Sequence, residues 1–305
     1  MTKSGGTGFG NFVVMQAKKH PAFADFLARV AREASPDRVI VLEYPIDSKP
    51  RWSQEKPNLP LYQAIDLHRS TYERHLRSFL GFTDKFIQIS ERPPLDNSSN
   101  EPFWLNGWMP ALDGVALYSL IALNKPKHFL EVGSGNSTKF ARRAIRDHKL
   151  STQIISIDPC PRAEVNSICD RSIREPVESV GLEVFDVLEA NDILYIDSSH
   201  RVFMNSDATA LFLDVIPRLK PGVLVEIHDV TLPYDYPEAW IQRCYSEQYL
   251  LAAYLLAKGE RFEVVMPSIF VSNDPELRGI LSPLWATERM KSVETHGCSF
   301  WIRTK

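Results

Sequence analysis

No stretch of this 305-residue sequence approaches the roughly 18–20 consecutive apolar residues that a bilayer-crossing helix needs, so no membrane span is expected. Charge of one sign is also lacking. The balance of −3 gives no reason to expect nucleic acid, whose phosphates are held by clustered Lys and Arg. Cysteine is scarce: Cys160, Cys169, Cys244 and Cys298 are scattered without a C-x-x-C pair, and they read as reduced thiols of a cytoplasmic protein. The opening Met1–Asn11 has Gly, Ser and Thr but no apolar h-region, which suggests a frayed end rather than a secretory signal. Internal repeats and low-complexity tracts are absent. The length suits one large domain, or one domain with an accessory region.

Two textures follow one another. Through about residue 107 the chain is irregular, with prolines spread over 45–60 and 93–102. It contains a predicted helix over Leu61–Leu80, with Ile65, Leu67, Tyr72, Leu76 and Leu80 as its stripe, and a short strand over Arg38–Leu42. We therefore divide the sequence into an N-terminal accessory or lid region, 1–107, and a main domain, 108–305. In the second part strands and helices alternate. Strands are predicted at His128–Val132, Gln153–Ile157, Ser172–Arg174, Ile193–Ile196, Val223–Ile227, Phe262–Met266 and Cys298–Arg303. Helices fall at Asp113–Asn124, Ser137–His148, Ser206–Leu219 and Tyr245–Ala257. This alternation predicts an α/β fold with a mostly parallel sheet covered on both faces. The last two strands lack a long crossover helix between them, which suits an antiparallel strand at the sheet edge.

The segment Phe129-Leu-Glu-Val-Gly-Ser-Gly-Asn-Ser-Thr138 joins a buried strand to a glycine turn and a helix start. Gly133 and Gly135 let the backbone approach a ligand closely, and the helix N-terminus at Ser134, Asn136 and Ser137 offers free N–H donors. Asp158 ends the next strand, about 23 residues after Gly135, where an acid can accept hydrogen bonds from ribose hydroxyls. A dinucleotide binder would need a third glycine at position 138, which is Thr138, and Glu131 precedes the first glycine by two residues.

This acid-first Glu-Val-Gly-Ser-Gly pattern resembles the first motif of class I S-adenosylmethionine (SAM)-dependent methyltransferases. The resemblance extends over Trp108–Arg303, through Ser156-Ile-Asp158, Asp192-Ile-Leu-Tyr-Ile-Asp197 and Leu219-Lys-Pro-Gly-Val-Leu-Val-Glu-Ile-His-Asp229. It implies a Rossmann-like methyltransferase sheet with a C-terminal antiparallel strand pair and SAM as cofactor. It also implies that Glu131 lies near the methionine amino group. The family often has glycine where this chain has Ser137, whose hydroxyl could cap the helix and bond the cofactor carboxylate.

Asp197 ends one strand and His228-Asp229 ends another, and strand ends of an open parallel sheet face one crevice. The set Asp197, His228 and Asp229 suits a divalent metal with open positions, and it resembles the magnesium site of catechol-type O-methyltransferases. Where that group has acid then amide, this chain has His228 then Asp229, so manganese, iron or zinc would also fit. His200 stands where those enzymes carry a lysine base, and imidazole can serve as a general base near neutral pH, with Asp197 as its catalytic companion. A unit charge about 4 Å away at an effective dielectric of about 20 stabilises an oxyanion by roughly 4 kcal/mol, enough to bring a phenol towards neutral pH. Each residue also admits a structural role: Asp197 as a cap, His228 bonded to a carbonyl, His200 bonded to Asp197.

Beyond Asp229, the aromatic and proline-rich run to Trp240 supplies Tyr234 and Tyr236 to stack on an acceptor, with Trp108 on the facing segment Phe103–Trp108. These aromatics can equally close a local core. The expected function is methylation of a small-molecule or sugar-type acceptor, most naturally at oxygen, with or without a divalent metal. Metal-free transfer to nitrogen or carbon and a non-catalytic SAM-binding regulator are the alternatives, and an NAD-dependent oxidoreductase is disfavoured by Thr138. The small-molecule acceptor is the expected partner, and a homo-oligomer is compatible with the sequence.

Overall fold

The computed structural model describes residues 13, 15–35, 39–42, 47–93, 100–161, 165–257 and 261–305. They group into two compact units, Met1–Ser48 and Lys49–Lys305. In the first, helix α1 spans Pro21–Ala34 with proline at its start, where a missing N–H is harmless. Val39–Leu42 forms no strand; Arg38, like the segment Met1–Asn11 expected to be frayed, lies outside the described residues.

Residues 49–107, which the sequence-based division groups with the N-terminus, fall in the same compact unit as the sheet. The predicted helix Leu61–Leu80 is two helices, α2 (Leu59–Asp66) and α3 (Arg69–Phe79). The break has a local cause. The Tyr72 hydroxyl donates to the Ile65 carbonyl at 2.6 Å, taking an acceptor that a continuous helix would give to residue 69. Of the predicted stripe, Ile65, Tyr72 and Leu76 are buried and Leu80 is half-buried, but Leu67, in the break between the two helices, is 81% exposed.

Helix α4 (Ala111–Asn124) leads to β1 (His128–Val132), α5 (Asn136–Asp147), β2 (Gln153–Ile157) and β3 (Arg171–Ile173). Then come β4 (Ile193–Ile196), β5 (Leu224–Ile227), α6 (Glu247–Leu256), β6 (Phe262–Pro267) and β7 (Phe300–Thr304). The order across the seven-stranded sheet is β3-β2-β1-β4-β5-β7-β6. The first five are parallel, while β7 runs antiparallel to both β5 and β6. The antiparallel strand β7 is inserted between β5 and β6, and the C-terminal pair β7-β6 forms one edge of the sheet, as expected. Strands β1, β4 and β5 are almost wholly buried, which is why they read as mostly apolar, with the buried Glu131 in β1 and Glu226 in β5 as exceptions.

The predicted helix Ser206–Leu219 changes pitch along its length: α over Asp207–Ala210, π over Leu211–Val215 and 3-10 over Ile216–Arg218. Pro217 has no N–H to continue the ladder, so the last turn cannot stay α-helical. No helix among the described residues is long and apolar enough to cross a membrane. All four cysteines are free thiols; Cys160 and Cys244 are exposed and Cys298 is buried.

Candidate active site

The strand order reverses direction between β1 and β4, and two loops leave the sheet there side by side. Val132 pairs with Ile196 in the β1–β4 register, so Gly133 and Asp197 are the next residues out. The Asp197 N–H donates to the Val132 carbonyl at 2.9 Å, and the Gly133 N–H to the Ile157 carbonyl at 3.0 Å. Gly133 has φ +84°, and a Cβ on it would sit 1.9 Å from the Asp197 carbonyl oxygen. Only glycine fits this turn.

Beyond it opens a cleft of about 310 Å³ lined by Gly133, Ser134, Asp158, Cys160, Glu178 and Asp197, among others. The Asp158 carboxylate accepts from the Ser134 N–H and the Cys160 N–H, each at 2.8 Å. A carboxylate has about four lone-pair sites, so capacity for ligand hydroxyls remains. Helix α5 begins at Asn136 and points its N-terminus at the same turn.

Glu131 lies beneath the turn, wholly buried. Its two oxygens accept the Ser137 hydroxyl at 3.0 Å and the Thr138 hydroxyl at 2.5 Å. Burial pushes its pKa up to about 8, against those two hydroxyl bonds, which favour the anion. Glu131 and Ser137, both expected at the ligand, thus bond each other beneath the turn. Thr138, read only as a missing glycine, also accepts the Gly135 N–H at 3.1 Å and so ties the turn to the helix.

On the other side of Asp197 is a second cavity, of about 490 Å³. Its walls include Trp108, His200, Asp229, Trp240, Arg243, Tyr245 and the exposed His296, together with the buried His228 and Cys298. Asp197 lines both cavities and is therefore the partition between them.

His200 sits at this partition, buried and with φ +62°. Its Nε2 is 3.2 Å from Asp197 Oδ1 and 3.8 Å from Asp229 Oδ2, while its Nδ1 bonds the buried Glu247 carboxylate. Burial opposes charge on the ring, but the Glu247 and Asp197 carboxylates outweigh it and hold the His200 pKa well above the usual imidazole value. Asp229 is also left-handed, at φ +52°. Two non-glycine residues in this sparsely populated region at one site are held there by their surroundings.

Of the nominated metal set, Asp197 and Asp229 come together across His200, but His228 turns elsewhere. Its Nδ1 faces Glu226 Oε1 at 3.2 Å and the Tyr195 hydroxyl at 3.4 Å, and its Nε2 faces Cys298 Sγ at 4.0 Å. The reason is that β5 carries Glu226 on the same side as His228, two residues away.

Among the aromatics, Trp108 is exposed and lines the cavity. Tyr236 is buried one layer back, against Trp240, Tyr245 and Tyr249. Tyr234 is not among the lining residues. Arg243 lies over Trp240, its guanidinium carbon 4.3 Å from the ring centroid. Arg243, Tyr245 and His296 were not nominated from sequence, and only the fold brings them together with Glu247. From sequence, Ser246-Glu-Gln-Tyr249 at a helix start reads as a cap first, with Glu247 or Gln248 reaching substrate second. In the structure the Ser246 hydroxyl instead accepts the Val202 N–H at 2.9 Å.

Residues 130–230 match the family model described as a methyltransferase domain. No curated protein matches the chain. Three solved structures resemble it loosely. The SAH-bound methyltransferase PaMTH1 of Podospora anserina is 15% identical, with 87% of this chain and all of that one covered and a TM-score of 0.39. An O-methyltransferase from Bacillus cereus in complex with SAH is 14% identical over 83% of this chain and 100% of its own, with a TM-score of 0.37. TomG of Streptomyces achromogenes, an O-methyltransferase involved in tomaymycin synthesis solved with SAM, is 15% identical over 91% and 96%, also with a TM-score of 0.37. At such scores these likenesses add nothing to what the strand order and the matched domain establish. The strand order, with its glycine turn at the switch point, is Rossmann-like, and residues 130–230 within it match a methyltransferase domain.

Proposed function

We propose that the chain transfers a methyl group from SAM to an oxygen of a small-molecule acceptor. The single observation that carries this reading is the position of Asp197, one side chain common to two cavities at the switch point of the sheet. A donor in one and an acceptor in the other would meet at that residue.

The residues of the smaller cleft fit SAM. Gly133 leaves the space that a Cβ would fill, the α5 N-terminus directs N–H groups at the turn, and Asp158 faces the cleft with acceptor capacity left over. When bound, SAM supplies a methyl group on a positively charged sulfur. Asp197 then does two things: its backbone closes over Gly133, and its carboxylate orients the acceptor. Holding the two reactants in line is the main source of rate.

Glu247 binds His200 Nδ1 and so fixes which ring nitrogen points at Asp197. In its neutral form His200 would take the acceptor proton, while in its cationic form it pairs with Asp197 and Asp229. The charge between those carboxylates is thus an imidazolium, and this reading routes no step through a metal there. Trp108, Trp240 and Tyr245 give the acceptor cavity flat apolar walls suited to a ring, and Arg243 offers a donor at its rim.

The test is single-turnover methyl transfer with a panel of hydroxylated aromatic and sugar acceptors. Asp197→Asn is expected to lower turnover at least about a hundredfold while leaving SAM affinity within a few-fold. Full turnover in Asp197→Asn would refute the assignment. If SAM binds but no acceptor is methylated, the non-catalytic reading takes its place.

A further inference from the structure

The deep end of the acceptor cavity holds a cluster that the methyl-transfer reading does not use. Asp113, His228 and Cys298 are all buried, and one ligand atom from each lies within 4.8 Å of the others. They come from the first turn of α4, the end of β5 and the segment before β7, so sequence spacing gives no hint of them. We propose that Asp113 Oδ2, His228 Nε2 and Cys298 Sγ bind a borderline-soft divalent transition metal such as zinc or cobalt, with an open position facing the acceptor cavity.

Ligand chemistry comes first. One thiolate, one imidazole and one carboxylate form a mixed set of the kind that selects zinc-like ions over magnesium or calcium. The spacing is close to what such an ion needs. Cys298 Sγ is 3.6 Å from Asp113 Oδ2 and 4.0 Å from His228 Nε2. Bonds of about 2.0–2.3 Å in a tetrahedron place ligands about 3.6 Å apart.

The surroundings supply independent support. The His228 Nδ1 bonds the Glu226 carboxylate at 3.2 Å, which leaves Nε2 free to ligate. A metal-bound histidine almost always has such a carboxylate or carbonyl on its other nitrogen. Glu226 Oε2 has no hydrogen-bond partner among the described residues, and both Glu226 and Asp113 are fully buried. Two buried carboxylates around one imidazole leave room for positive charge. Asp113 is held rigidly: Oδ1 accepts the Ser299 hydroxyl at 2.6 Å and Oδ2 the Cys298 N–H at 2.8 Å.

Binding is balanced simply. The thiol, which contacts Asp113 and Asp229 carboxylates in the absence of metal, loses its proton to water as the sulfur–metal bond forms. His228, Asp229 and Cys298 line the acceptor cavity, so the remaining position opens onto it. The use of that position to orient an acceptor oxygen rests on the methyl-transfer reading; the binding of metal does not.

The test is cobalt(II) titration of tag-free protein carrying Cys160→Ser and Cys244→Ser, which removes the exposed thiols. The expected result is one equivalent bound, with a near-ultraviolet thiolate-to-cobalt charge-transfer band and intense visible bands of tetrahedral cobalt. Cys298→Ser should abolish the charge-transfer band, and Glu226→Gln should weaken binding about 10–100-fold. Absence of a thiolate band in the parent protein overturns the proposal whether or not the Cys298 variant folds. A band that survives in a folded Cys298→Ser protein overturns it equally. None of these readouts requires an acceptor or SAM, so failure here leaves the methyl-transfer reading intact.

Discussion

At His200 three carboxylates decide which proton can move. The ring is closed in by Glu247 on one nitrogen and by Asp197 and Asp229 on the other. A pKa held well above the ordinary imidazole value means the ring is protonated at neutral pH and becomes a base only as pH rises. Turnover should therefore climb with pH through a titration on the alkaline side of the usual imidazole range. In Glu247→Gln the largest charge that raises the pKa is gone, and the climb should move to lower pH. A pH profile of kcat/KM for both proteins checks this, and an unmoved profile would remove His200 from the proton path. His200 itself was legible from Asp-Ser-Ser-His, whereas Glu247 lies 47 residues further on and is reached only through the fold.

At the scale of elements, the link between β1 and α5 is held by hydroxyls packed on a buried acid. Thr138 donates to Glu131 and accepts from the Gly135 N–H. Thr138→Val keeps the shape but leaves both groups a partner short, and should lower unfolding stability by about 1–3 kcal/mol in denaturant titrations. Strands β1, β2 and β4 were readable to the residue, because apolar runs bounded by charged or turn residues can only be buried strands here. The helices around them were less so. Tyr72 breaks one by taking a backbone carbonyl, and Pro217 ends another through a π turn, and neither event leaves a periodicity to read. The glycine turn and Asp158 were legible because they are local. The acceptor cavity was legible in part, through Trp108, Asp197, His200, His228 and Asp229, whereas Arg243 and His296 join it only after the sheet is assembled.

For the whole molecule, several buried titrating groups act in one direction. Glu131 and Glu226 each have a folded pKa of about 8 against an ordinary value of 4.5, owing to burial. An acid whose folded pKa is raised binds more protons folded than unfolded between those values, so stability falls as pH rises through that window. His200, also raised, gives stability that is fully present below its unfolded pKa and is lost as pH rises through its folded one. The protein should therefore melt at a higher temperature near about pH 6 than near about pH 8.5, and Glu226→Gln should flatten the difference. Scanning calorimetry across that range checks it. Turnover and stability should thus respond to rising pH with opposite sign, which separates the catalytic from the structural carboxylates.

The central claim is that SAM binds at the switch point between β1 and β4, against Gly133 and Asp158. Isothermal titration of SAM into the wild-type chain and into Gly133→Ala tests it most directly. The Cβ added in the variant would meet the Asp197 carbonyl at 1.9 Å and sit at φ +84°, so the turn must open, at a strain of about 1–3 kcal/mol. The account predicts one SAM per wild-type chain with a dissociation constant on the order of micromolar, and binding at least about tenfold weaker in a folded variant. No heat of binding with the wild-type chain, or equal affinity in Gly133→Ala, would contradict it.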